Sequence, residues 1–141
     1  MIEAICPRWH RLGATGNGGR AKLAINLILG INRAALAEGL VFAERMGLAP
    51  ETFLNVARDS AAYSQIMDIK GGKMLTGDFS PQGYATQSLK DFSLMLEQAR
   101  RLKQQLPLAE TYAALMKGCV AAGEGELDNS AVIREIRRRT S

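Results

Sequence analysis

The chain has 141 residues, a hydrophobic share of 47%, a charged share of 23% and a formal net charge of +4. That length and balance suit one globular domain with a real core. Much of the positive excess sits in Arg134, Arg137, Arg138 and Arg139, and the few aromatics are not interleaved with basic residues, so no nucleic-acid partner is expected.

The two cysteines, Cys6 and Cys119, lie far apart, and His10 is the lone histidine, so a His/Cys metal site has almost no material. Both cysteines read as reduced thiols of a cytoplasmic protein. Met1 is followed by Ile2-Glu3-Ala4-Ile5-Cys6-Pro7, which is not a basic start before an apolar core. The longest apolar run is broken by Asn26, Asn32 and Arg33, so no membrane partner is expected.

Residues 1–19 carry no helical or strand period and read as an irregular lead-in, with Pro7 and a glycine cluster between Gly13 and Gly19. Arg20 to Met46 is the longest element, a helical pattern apolar on most faces that predicts burial on several sides. Asn17 is placed to cap its start, Gly47 to end it, and Pro50 to open a second helix running to about Arg58. A third helical piece, Tyr63 to about Met74, is expected to be interrupted at Gly71-Gly72. Thr76 to Gly83 is a loop with Gly77, Asp78, Pro81 and Gly83 as its turn residues.

A strong helix is expected from about Tyr84 to Gln105, with Leu89, Phe92, Met95, Leu96, Ala99 and Leu102 at helical spacing. Pro107 separates it from a helix over Leu108 to Ala122. Gly123, Gly125, Asp128 and Asn129 form a break before a short basic helix from Ser130 to Arg138. No segment alternates like a strand and no repeat is visible, so the chain reads all-α, built around one long helix.

The chemistry-bearing stretch is Gly16-Asn17-Gly18-Gly19-Arg20-Ala21-Lys22-Leu23-Ala24-Ile25-Asn26. It heads a helix with glycines and then sets Lys22 and Asn26 four residues apart on one face. A lysine buried among Leu23, Ile25, Leu27 and Ile28 would lose hydration, and such a lysine can exchange protons near neutral pH. The competing reading is a lysine that snorkels from the first turn to water. Gly16 to Ala21 matches the loose dinucleotide pattern G-x-G-x-x-A, but no buried strand precedes it and the nearest acid, Glu38, sits mid-helix. Small residues here instead let a backbone or substrate approach the helix start.

Arg33 shares the stripe of Lys22 and Asn26 and reads either as part of a functional polar stripe or as a solvated face. Lys90-Asp91, early in its helix, reads alone as a solvated pair. Phe79 and Tyr84 read as packing anchors, Arg137-Arg138-Arg139 as a frayed charged terminus, and the methionines as core filler.

Together these segments resemble the C-terminal all-helical domain of the β-hydroxyacid dehydrogenases, the 3-hydroxyisobutyrate and tartronate semialdehyde branch of the 6-phosphogluconate dehydrogenase superfamily. The motif G-x-G-x-x-x-K-x-x-x-N is met by Gly16, Gly18, Lys22 and Asn26, and Glu38 to Leu48 is similar to the family's E-A-x-x-L-A-E-x-x-G-L run. Phe79-Ser80-Pro81 and Leu89-Lys90-Asp91-Phe92 resemble its F-x-P-x-F and K-D-L segments, with Tyr84 and Phe92 as mild departures.

The resemblance implies Lys22 as general acid/base, Asn26 and Gly18 at the substrate, and Lys90 by an NAD or NADP cofactor. It implies a small hydroxyacid substrate exchanged with its semialdehyde, and a homo-oligomer. It also implies an N-terminal dinucleotide-binding domain that residues 1–19 cannot be, leaving residues 20–141 as the substrate and dimerisation domain. The chain is thus expected to be a fragment, inactive alone and a weak cofactor binder. The alternative is a non-catalytic helical interaction or oligomerisation module.

Overall fold

The computed structural model describes residues 17–140. Within them the chain is six α-helices: α1 (Asn17–Arg45), α2 (Pro50–Arg58), α3 (Gln65–Thr76), α4 (Ala85–Arg101), α5 (Pro107–Ala121) and α6 (Val132–Arg138). A single 3-10 turn, Asn129–Ala131, leads into α6. The irregular lead-in expected over residues 1–19 is corrected at its end, where Asn17, Gly18 and Gly19 are already helical; its residues 1–16, with Cys6, His10 and Gly16, lie outside the described residues.

Helix α1 is about 43 Å long at ~1.5 Å per residue, and it touches each of the other five. By length and composition it is long and apolar enough to cross a membrane, yet its C-terminal half is core. Gly30, Arg33, Leu36, Ala37, Leu40, Val41 and Ala43 are all buried there. The expected many-sided burial stops at that half. Among residues 17–29 none is fully buried, and Ile28 is 57% exposed, so the described residues leave this half only partly covered. Asn17 lies in the helix instead of capping it, and its Oδ1 accepts from the Arg20 guanidinium.

The helix ends as expected. Gly47 takes the left-handed conformation (φ 88°). Leu48 N donates to Ala43 O and Gly47 N to Glu44 O, both at 3.0 Å, which satisfies carbonyls the helix leaves open. Pro50 then opens α2 at its first turn, where a missing N–H costs nothing.

The glycine pair in α3 does not interrupt it, contrary to expectation. Gly71 is buried, and a Cβ built there would lie 2.8 Å from Leu54 Cδ2, so the missing side chain is the space that α2 packs into. Helix α3 instead ends at Gly77, left-handed at φ 74°. Helix α4 stops at Arg101, short of Gln105. Leu102 is 68% exposed, not core, and Lys103 takes a positive φ of 57° to turn the chain. Pro107 sits inside α5 at its first turn and does not separate the helices from outside.

At the centre, Phe92 of α4 and Tyr112 of α5 meet at 4.3 Å between ring centroids, tilted 48°. Gly30 of α1 faces them. A Cβ at Gly30 would stand 2.5 Å from Phe92 Cζ, so this crossing requires glycine.

The C-terminal arginines are not frayed. Arg137 pairs with Glu44 of α1 at 2.7 Å, and Arg138 with Glu124 at 2.8 Å and Glu135 at 2.6 Å. Arg139 pairs with Glu135 at 2.9 Å and Arg134 with Glu124 at 3.0 Å. Glu124 and Glu135 are buried as residues, so the basic helix is the counter-charge that lets two carboxylates leave water.

One carboxylate ties the loops to the helices. Asp128 is fully buried. Its oxygens lie 2.9 and 3.0 Å from Lys70 Nζ of α3. Oδ1 also accepts from the amides of Gln82 at 2.8 Å and Gly83 at 3.2 Å, and Oδ2 from the Ser130 amide and hydroxyl. Burial alone would raise this carboxyl's pKa, but the Ser130 and Gln82 hydrogen bonds and Lys70 outweigh it, so Asp128 stays ionised well below the usual carboxylate range. Burial works against the Lys70 charge, and the Asp128 contact works to keep it.

Two outcomes are expected. Gly30→Ala should cost about 1–3 kcal/mol by overpacking Phe92, while Gly39→Ala, with nothing within 4 Å of its Cβ, should gain about 0.5–1 kcal/mol. Denaturant midpoints of the two variants check this; equal shifts of the same sign would contradict the packing. Asp128→Asn should cost about 3–5 kcal/mol by stranding Lys70. The stability Asp128 supplies is complete above the unfolded carboxyl value of ~3.9 and is lost as pH falls from there toward its depressed folded value. Wild type should therefore lose stability below about pH 4 more steeply than Asp128→Asn, by thermal melts across pH.

Candidate functional site

The Asp128 contacts bring the 82–84 loop against the start of α4, beside α1. Asn129 N donates to Gly83 O at 2.8 Å, and Ala85 N to Leu127 O at 2.9 Å. Tyr84 and Asp128 form an isolated antiparallel bridge. Between these elements lies a cleft of about 170 Å³. Asn26 and Arg33 line it from α1, Ser88 and Asp91 from α4, and Tyr84 and Asn129 from the loops.

Asn26 is half-buried on this wall. Asp91 is half-buried too, and its Oδ1 accepts from Gln87 Nε2 at 2.9 Å. It is therefore part of a cleft and not simply a solvated group. Asn129 donates through Nδ2 to Ser88 Oγ at 3.2 Å, and its buried Oδ1 has no partner. Arg33 is 8% exposed. Its Nη1 donates to Tyr112 Oη at 2.6 Å, while its buried Nε has no acceptor. Burial pushes the Tyr112 hydroxyl's pKa up, against the nearby guanidinium, so Tyr112 is a neutral partner.

Lys22 is exposed on α1, one turn from Asn26 and off the cleft wall. The apolar neighbours expected to desolvate it do not: Ile28 is exposed, and Leu23, Ile25 and Leu27 are only half-buried. Lys90 is exposed as well, next to Asp91 on α4. Gly18 is half-buried in the first described turn of α1, and a Cβ at its neighbour Gly19 would meet nothing within 4 Å among the described residues. The cleft thus gathers Asn26 with Asp91 and leaves Lys22, Lys90 and Gly18 on the surface beside it.

A second, wider groove of about 900 Å³ runs between the N-terminal half of α1 and the end of α4, lined by Leu23, Leu27, Met95, Ala99, Leu102 and Leu106. Cys119 is buried, and burial with Glu124 and Glu135 nearby pushes its thiol up to about 11, so it offers no thiolate nucleophile at neutral pH.

Sequence reasoning reached Asn26 and left Arg33 open between site and solvated face. It did not single out Ser88, and it read Asn129 only as turn chemistry. The signal for Arg33 was its place seven residues after Asn26. Ser88 and Asn129 carried none, because they meet only through the Asp128 contacts.

The family model described as the NAD-binding region of NADP-dependent 3-hydroxyisobutyrate dehydrogenase matches residues 16–136. The 2-(hydroxymethyl)glutarate dehydrogenase of Eubacterium barkeri is 36% identical over 141 residues, 99% of this chain and 47% of its own. The cytokine-like nuclear factor N-PAC of Aedes aegypti is 33% identical over 136 residues, 96% of this chain and 24% of its own. A crystal structure of 3-hydroxyisobutyrate dehydrogenase from Salmonella typhimurium superposes with a TM-score of 0.84 at 30% identity, covering 89% of this chain and 44% of its own. The chain spans about half the length, or less, of the relatives it matches. With the model matched from 16 to 136 and the same helices in the same arrangement, the chain belongs to the 3-hydroxyisobutyrate dehydrogenase family of β-hydroxyacid dehydrogenases, as its all-α domain built around one long helix.

Proposed function

We propose that this chain is the substrate and dimerisation domain of an NAD(P)-dependent dehydrogenase that interconverts a small β-hydroxyacid and its semialdehyde. One observation carries the reading: the Lys22/Asn26 pair sits on one face at the head of α1, and Asn26 lines a polar cleft beside it. Lys22 is the general acid/base at the substrate hydroxyl, taking its proton on oxidation and returning it on reduction. When bound, the nicotinamide ring takes or gives the hydride at the carbinol carbon. Asn26 orients the substrate through its amide, and Gly18 keeps the helix start open for close approach.

An amine accepts a proton only when neutral, and removal from water is what makes that form accessible near neutral pH. Lys22 is exposed, and a dinucleotide-binding domain seated over it would supply that removal. The apolar groove along the same half of α1 fits that reading, since it is also uncovered. The groove suits a dinucleotide-binding domain and a second copy of the chain alike.

The residues present fit one edge of a dinucleotide. Lys90 and Lys22 are exposed cations on α4 and on the first described turns of α1, and either can meet an anionic group. No cradle for an adenine or ribose is formed by the described residues around them. A few polar contacts on an open surface do not offset the entropy of ordering a dinucleotide.

A second reading is favoured by the exposure of Lys22 and by a relative whose name is that of a nuclear factor and not of an enzyme. In it the domain is a non-catalytic assembly module, and the Lys22/Asn26 pair is inherited without use.

Joining the chain behind a dinucleotide-binding domain from a full-length hydroxyacid dehydrogenase tests the proposal. The joined protein should oxidise 3-hydroxyisobutyrate with NAD or NADP in a spectrophotometric assay. Lys22→Ala should then lower turnover by about 10²–10⁴-fold with cofactor affinity nearly unchanged, and Lys22→Arg should not restore it. Near-normal turnover in Lys22→Ala would remove the acid/base role from Lys22, and a folded joined protein without turnover would favour the assembly module. The 141-residue chain alone should bind NAD and NADP no tighter than ~1 mM by calorimetry; micromolar binding would mean that it holds a complete cofactor site.

A further inference from the structure

We propose that Arg33 makes the inner end of the cleft a subsite for a second carboxylate, at the end of the substrate remote from the reacting carbon. The proposal rests on the dehydrogenase reading above and names the class of hydroxyacid within it: one that carries two acid groups.

The charge of Arg33 is unbalanced among the described residues. Arg33 is buried at 8% exposure, and its guanidinium enters no ion pair among the described residues. Its one hydrogen-bond partner, the Tyr112 hydroxyl, is neutral. Its Nε is buried with no acceptor at all. A buried cation without a counter-charge is costly, and every other buried charged residue of this domain has one: Lys70 has Asp128, and Glu124 and Glu135 have the arginines of α6. Arg33 lines the cleft, so the position left for its counter-charge is the cleft itself. The guanidinium's fork geometry suits a carboxylate.

The rest of the wall fits. Arg33 stands seven residues after Asn26, two helical turns and about 10 Å along the axis, on the same stripe. A ligand placed by Asn26 therefore extends toward Arg33. The Asn129 carboxamide and Ser88 hydroxyl, which hold one another at 3.2 Å, lie beside that path. Asp91 is the one carboxylate on the wall. It is half-buried, holds Gln87 and does not pair with Arg33, so it leaves the guanidinium free and can accept from a ligand hydroxyl.

The test needs neither cofactor nor turnover. The chain is titrated with glutarate, with the neutral pentanediamide of the same length, and with chloride, while the Arg33 Nε–H and Asn129 side-chain amide resonances are followed. Glutarate should move both in a saturable way, and the diamide and chloride should not. Arg33→Met should weaken the glutarate response at least tenfold, and a melting temperature without ligand checks its fold, because the change also removes the hydrogen bond to Tyr112. Arg33→Lys, which keeps the charge and loses the Nε–H, should weaken the response less, and it decides the matter if the methionine variant fails to fold. A response that does not saturate, that persists in Arg33→Met or that chloride reproduces would overturn the subsite. In the joined protein, Arg33→Met should lower kcat/KM for a hydroxyacid with two carboxylates at least tenfold more than it lowers kcat/KM for 3-hydroxyisobutyrate. A joined protein that turns over 3-hydroxyisobutyrate while the chain ignores glutarate sinks the subsite alone. An inactive joined protein whose chain binds glutarate through Arg33 sinks the dehydrogenase reading, and with it the assignment of that anion site to a substrate.

Discussion

The buried Asp128 carboxylate organises the region where the site lies. It accepts from Lys70 on α3, from Gln82 and Gly83 in the loop before α4, and from Ser130 in the turn before α6. Three segments distant in sequence are fixed by one side chain. A buried carboxylate with that many donors is held ionised, and each donor is held in turn because leaving such a charge unmet is costly. The 82–84 loop and Asn129 thereby become one wall of the cleft, which is otherwise set by the crossing of α1 and α4.

That crossing has a different physical basis. Gly30 lets α1 come down on the Phe92–Tyr112 pair, and Gly71 lets α2 come down on α3 through Leu54. Both are helix-interior glycines, which cost helix stability locally. The close approach they allow brings aromatic and aliphatic surface into contact, which is worth more than the propensity lost. Arg33 sits one turn beyond Gly30 and borders the same aromatic pair, with its guanidinium carbon 6.0 Å from the Tyr112 ring centroid. The packing that closes the core thus also buries the cation that faces the cleft.

The two halves of α1 differ in role for the same reason. The C-terminal half is surrounded by the other helices, and Glu44 there receives Arg137 from the end of the chain. The N-terminal half carries the motif residues and an apolar face that the described residues do not cover. An apolar face of this kind suits contact with another body, and the acid/base role proposed for Lys22 depends on such cover.

The all-α class, the long first helix and the breaks at Gly47, Pro50 and Gly77 were legible in the sequence, because each rests on local rules of periodicity, positive φ and proline geometry. The spacing of Lys22 and Asn26 on one face was legible for the same reason. Gly71 misled, since local propensity marks a break where tertiary packing needed a gap. The C-terminal arginines misled likewise, since nothing nearby in sequence announces Glu44 as a partner. The burial of Arg33, the meeting of Ser88 with Asn129 and the exposure of Lys22 were decided only in three dimensions. Each depends on which distant segments a side chain meets, and hydrophobic periodicity says that a face is covered without saying by what.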